Sequence, residues 1–244
     1  MKFLVLKHAV IEGAGIFELF CREAAIAFDS VDLSQGESFP EIADYDALLV
    51  MGGAMNVGDE AQFSWLIEEK AFIRQAIALG KPYLGTCLGA QLLADALGGT
   101  VGWMKSPEVG VLPVTLTAAG QAHPLMQGMP AQFHAVQWHG QEVQTMPPGA
   151  TVLAASPHCP VQAYAVGGSA FGLQFHSEVD DNTLAAWLSV PDYCADLETV
   201  LGVTACADMT QAVARHLTGL THRARVLFHN FVGLVGDRSA YRPD

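Results

Sequence analysis

Cys87 stands in GTCLG, residues 85–89, where one apolar run gives way to another of different period. The run before it, PYLGT, is short enough for a buried strand. The run after it, LGAQLLADAL, has helical spacing and is closed by Gly98 and Gly99. A chain that passes straight from strand to helix turns sharply and lifts the turn side chain above the sheet, and small neighbours permit the tight backbone. Open α/β sheets place ligands at strand carboxyl ends. A helix start offers free N–H groups and a favourable dipole, which raises the thiolate character of a cysteine there. The N–H of Leu88 is then available to a developing oxyanion. Cys87 is placed as a nucleophile would be. The competing reading is an inert buried thiol, the usual fate of free cysteine, and this segment alone does not separate the two.

A thiolate nucleophile needs a base, and the base needs an orienting group. GLQFHSEVD, residues 172–180, offers both. Residues two apart in a strand point to the same side, so His176 and Glu178 share a face at the end of an apolar run. In MGGAMN, residues 51–56, paired glycines after a strand allow close backbone approach or positive φ. Gln91, one helical turn beyond Cys87, shares its face.

The elements that must hold these residues alternate. Phe3–Leu6, IAFDSVDL and ALLVM read as strands, with an amphipathic helical stretch over 14–27 and another in WLIEEKAFIRQAIALG, capped near Gly80. Such βαβ alternation predicts a parallel sheet with helices on both faces. From Gly99 to Gln174 short β-rich runs are separated by Pro and Gly turns, and beyond Glu178 the chain turns helical. The expected architecture is α/β: a three-layer sandwich with a central, mostly parallel sheet, a nucleophile elbow and a helical C-terminal extension. Residues 1–244 are read as one domain, with a catalytic core over 1–180 and the extension over 181–244.

The chain has 244 residues, about half of them apolar, and a formal net charge of −13. That acidity disfavours a nucleic-acid partner, which requires clustered Lys and Arg. No apolar run is long enough to span a bilayer. Five cysteines without a CxxC pair point to a reduced protein with mostly buried thiols and a cytoplasmic location. Cys159 reads as structural. The histidines outside the motifs lack metal-ligand spacing, and HNFVG and THRAR read as a solvated helix face.

GTCLGAQ followed far downstream by GLQFHSE resembles the class I, triad-type glutamine amidotransferases in order and spacing. MGGAMN and the WHG at Trp138–Gly140 belong to the same likeness, which covers roughly Leu48 to Val179. The resemblance implies a thiolate that attacks the side-chain amide of glutamine, releases ammonia and leaves a γ-glutamyl thioester for water to hydrolyse. By resemblance Cys87 is the nucleophile, His176 the base and then the acid, and Glu178 the orienting carboxylate. The N–H groups of Gly53 and Leu88 form the oxyanion hole, each worth about 3 kcal/mol of barrier. Gln91, Gly140 in its loop, and His139 contact the substrate, with Trp138 as a wall. The family usually has Pro where this chain has Ala54. Neither metal nor organic cofactor is required. Three functions fit: hydrolysis of glutamine with ammonia passed to a separate enzyme, stand-alone hydrolysis of γ-glutamyl peptides or conjugates, and a non-catalytic binding module.

Overall fold

The computed structural model describes residues 1–236. Nine strands form one sheet in the order β2-β1-β3-β4-β9-β8-β7-β5-β6. They are β1 (Lys2–Lys7), β2 (Ala27–Asp32), β3 (Ala47–Val50), β4 (Tyr83–Thr86), β5 (Thr100–Leu116), β6 (Gln132–Thr145), β7 (Ala150–Ala155), β8 (Ala163–Val166) and β9 (Ala170–Leu173). The helices are α1 (Ile16–Glu23), α2 (Trp65–Ala78), α3 (Leu88–Ala96), α4 (Ala118–Ala122), α5 (Asp181–Leu188), α6 (Pro191–Leu201) and α7 (Ala205–Gly236). The strands from β2 through β9 in that order pair in parallel, and those from β9 through β6 pair antiparallel. The parallel character therefore belongs to the half of the sheet that carries the elbow.

Alternation along the central strands creates two cores. Phe3 and Val5 of β1 and Leu49 of β3 face one side. There Phe17 and Phe20 of α1 meet Phe228 of α7, and Phe231 of α7 packs on Phe3. Leu4, Leu6, Leu48 and Val50 face the other side and are covered by α2 and α3. These are the three layers expected. A third cluster joins Trp187 of α5 and Met209 and Val213 of α7 to Val136 of β6.

Four sequence expectations change. WHG does not lie in a loop: Trp138–Gly140 belong to β6, whose register with β5 skips between Trp103↔Gln141 and Glu108↔His139. The irregularity is in β5, where four residues bulge opposite Gly140. Most of this ribbon projects beyond the sheet, because β5 meets β7 only at Thr115 and Leu116. The strand before His176 ends early, at Leu173, so His176 and Glu178 occupy a bent segment pinned by a bond from the His176 N–H to the Val136 carbonyl, 2.8 Å. HNFVG is not wholly solvated, since Phe231 is fully buried. Finally, Cys194 and Cys206 form a disulfide between α6 and the start of α7. Their twelve-residue separation shows no pairing signal, but folding brings their Cα atoms to 5.9 Å, within the ordinary disulfide span. Cys21, Cys87 and Cys159 remain free and buried.

Candidate active site

Cys87 sits between β4 and α3 with φ 50° and ψ −107°, one of two non-glycine residues with positive φ among those described. L-residues rarely adopt this backbone, and such strain persists only where surroundings impose it. The surroundings here are specific. The Cys87 N–H donates to the Leu173 carbonyl at 2.7 Å. The hydroxyls of Tyr83 and Tyr164 donate to the Gly89 and Ala90 carbonyls at 2.7 and 2.5 Å, which fixes the first turn of α3. Glycine is required at 85 and 89 for space: a Cβ on Gly85 would lie 2.5 Å from the Gly89 backbone, and one on Gly89 2.1 Å from the Val50 carbonyl oxygen.

The structure brings Cys87, His176 and Glu178 together. His176 Nδ1 lies 2.7 Å from Glu178 Oε1. The Cys87 sulfur lies near enough to the ring to interact with its charge, while its thiol points toward the Trp138 carbonyl at 3.9 Å. Burial alone would push the His176 pKa down. The Glu178 carboxylate and the Cys87 sulfur outweigh it and hold the imidazole well above its ordinary value. The Trp187 ring stacks edge-on against His176, with centroids 4.9 Å apart. Gln174 donates an N–H toward the sulfur at 3.7 Å. This arrangement suits proton transfer from thiol to imidazole and nucleophilic attack by the sulfur on an acyl carbon.

The remaining expected residues cluster around the same opening. Leu88 is the first residue of α3, where an N–H has no acceptor within its own helix. Gly53 lines a cavity of about 390 Å³ that Cys87 and His176 also line. Neither Gly52 nor Gly53 has positive φ, so the pair serves close approach. Ala54 lines the cavity beside them. Gln91 donates to the Gln141 carbonyl at 3.0 Å and to Gln174 Oε1 at 3.1 Å. Its amide thus ties α3 to the β5–β6 ribbon while facing the cavity, as do Gly140 and His139. Both His139 nitrogens are engaged, Nδ1 with the Gln141 carbonyl at 2.9 Å and Nε2 with Gln137 Oε1 at 3.1 Å, Glu108 lying 3.3 Å away. His139 therefore supports the backbone around Gln141 rather than offering a free nitrogen.

Glu108, His139 and Cys159 have ligand atoms within 4.8 Å of one another. Ser156 and Gln162 already bond the Glu108 carboxylate, and burial pushes the Cys159 thiol up to about 12. Hydrogen bonding accounts for this cluster without a cation.

Three groups escaped sequence reasoning. His8, at the end of β1, is buried and bonded to the Gly52 carbonyl at 2.7 Å and to Glu69 Oε1 of α2 at 2.9 Å, bracing the glycine turn. Burial would lower its pKa, but Glu69 and the Gly52 carbonyl raise the net value. Glu12 lies in the cavity wall, and Tyr193 of α6 donates its hydroxyl to Glu12 Oε1. A polar residue ending an apolar strand, as His8 does, was the available signal. Nothing in the spacing linked Glu12 to a tyrosine 181 residues away.

An elbow of this kind at the carboxyl end of an interior parallel strand defines the class of α/β protein to which the chain conforms. Residues 18–187 match the family glutamine amidotransferase class-I, and the chain belongs to that family. The glutamine amidotransferase-like protein YfeJ of Salmonella typhimurium is 31% identical over 73% of this chain and 76% of its own length. A subunit of the glutamine-hydrolyzing GMP synthase of Sulfolobus acidocaldarius is 31% identical over 63% of this chain and 78% of its own. Among solved structures, a glutamine amidotransferase from Thermotoga maritima superposes with a TM-score of 0.86 at 28% identity, covering 95% of this chain and 98% of that one. One from Methylobacillus flagellatus gives 0.85 at 25%, covering 100% and 96%.

Proposed function

We propose that this protein hydrolyses the side-chain amide of glutamine through a γ-glutamyl thioester on Cys87. The observation that carries the reading is the Cys87 elbow facing an imidazole with Glu178 2.7 Å behind it. The thiolate forms the C–S bond, the oxyanion is held by the Leu88 and Gly53 N–H groups, and His176 delivers its proton to the departing nitrogen as the C–N bond breaks. His176 then activates the water that releases glutamate. Gln91 and the Gly140–Gln141 backbone hold the amino-acid end of the substrate. The relative from S. acidocaldarius is named as one part of a synthase; by analogy the ammonia passes to a separate partner enzyme. Glutamate release from glutamine by the purified protein tests this, with Cys87→Ala expected to lower turnover by at least about a thousandfold. Equal turnover in wild type and Cys87→Ala would refute it.

One observation favours a second reading, hydrolysis of γ-glutamyl peptides or conjugates. The cavity of about 390 Å³ that Cys87 and His176 line is walled as well by Trp103, Pro107 and Val109 of β5 and by Leu197 and Val200 of α6. Drug-sized ligands occupy pockets from about 300 Å³ upward, so this volume accommodates an amine larger than ammonia. A panel of γ-glutamyl dipeptides beside glutamine discriminates: a higher kcat/KM for any dipeptide would establish this alternative.

A further inference from the structure

Glu12 is 6% exposed, faces the cavity, and has no place in the triad chemistry. Its two oxygens differ. Oε1 accepts the Tyr193 hydroxyl from α6. Oε2 lies 3.0 Å from the point where a Cβ on Gly52 would sit, and His176 Cε1 lies 3.0 Å from the same point, so the two atoms are within twice that distance of each other. The Cys87 Cβ is 3.8 Å from it. Glu12 Oε2, His176 Cε1 and the Cys87 Cβ therefore gather around one point beside Gly52, and Glu12 and His176 line the same cavity as Cys87. The acyl portion has its candidate contacts elsewhere, at Gln91 and Gln141. Since His176 hands its proton to the leaving nitrogen, the His176 side is where the amine departs.

We propose that Glu12, braced by Tyr193, accepts an N–H of the leaving amine and so selects γ-glutamyl amides over γ-glutamyl esters. This rests on the reading of the site as a γ-glutamyl hydrolase. An amide nitrogen can take the His176 proton only when its lone pair points at the ring. A carboxylate oxygen accepting one N–H fixes that rotation. In the acylation step the sulfur bonds to the carbonyl carbon, the C–N bond breaks, and the proton from His176 completes ammonia or a primary amine, whose N–H stays on Glu12 Oε2. An ester oxygen presents no hydrogen there and gains nothing. Burial pushes the Glu12 carboxyl up, while Tyr193, His176 and His8 pull it back and Glu178 adds to the rise. The tyrosine comes from α6, so the subsite depends on a helix outside the sheet.

The test compares kcat/KM for glutamine and for the γ-methyl ester of glutamate, which both lead to the same thioester. The double variant Glu12→Leu, Tyr193→Phe removes acceptor and hydroxyl together, leaving no buried polar group orphaned. It should lower the amide-to-ester ratio at least tenfold. Glu12→Gln, which keeps an acceptor oxygen, should lie between it and wild type. If Glu12 and Tyr193 only anchor α6, both substrates fall together and the ratio stays within twofold, which overturns the proposal. Should the double variant fail to fold by circular dichroism, Glu12→Gln decides by the same ratio. A wild type that hydrolyses neither substrate and resists a γ-glutamyl chloromethyl ketone would remove the underlying reading, a result distinct from an unchanged ratio in an active enzyme.

Discussion

Cys87 holds a backbone that only glycine adopts at low cost, so its side chain is retained against local strain of about 1–3 kcal/mol. Cys87→Gly should therefore melt above Cys87→Ala, by roughly 1 kcal/mol of stability, although neither turns over substrate. Calorimetry of the two variants checks this, and an equal or reversed order would mean the elbow is unstrained. His176 makes a second prediction. Glu178 offsets the burial that would otherwise push the imidazole down. Glu178→Gln should move the alkaline limb of the kcat/KM profile for glutamine to lower pH, because the imidazolium that protonates the amine is lost sooner. Its activity loss should be smaller than that of Cys87→Ala, since Glu178 bonds to no substrate atom.

At the scale of elements, two tyrosines brace the elbow from β4 and β8, the strands on either side of β9. Tyr83 and Tyr164 donate to the Gly89 and Ala90 carbonyls in the first turn of α3 and are almost wholly buried. Tyr83→Phe and Tyr164→Phe should each cost about 1 kcal/mol, measured by urea denaturation. The motif residues and the βαβ alternation that positions them were legible in the sequence, because tight turns and helix starts have local signatures. The β5–β6 ribbon was not. Its strands were read as short runs around a substrate loop, and only non-local pairing with the bulge opposite Gly140 makes them one ribbon. Nor was the Glu12–Tyr193 contact legible, since it joins the loop after β1 to α6.

For the whole molecule, α7 belongs to the main core as much as any strand. Phe228 packs against Phe3, Phe17 and Phe20, so Phe228→Ala should destabilise by about 3–5 kcal/mol. Buried ionisable groups set the pH response. The folded pKa values of His8 and His176 stand above 6.5, the value expected unfolded. Their contribution is fully present below about 6.5 and is lost as pH rises through the folded values. Glu12, raised from 4.5, acts with the same sign, since the folded chain keeps a proton that the unfolded chain has released. Tm should fall as pH rises above about 6.5, and the fall should flatten in His8→Gln. A Tm that climbs over that interval would contradict the assignment. Among the described residues no helix is long and apolar enough to cross a membrane.

The staple between α6 and α7 has a practical consequence. The proposed chemistry needs Cys87 as a thiol, whereas Cys194 and Cys206 are joined and tie the helix that carries Tyr193 to the start of α7. Dithiothreitol added to protect the first would sever the second. On the proposed role of Tyr193, protein handled in strong reductant should thus show a slacker preference among leaving groups than protein kept under argon without it, although Cys87 is a free thiol in both.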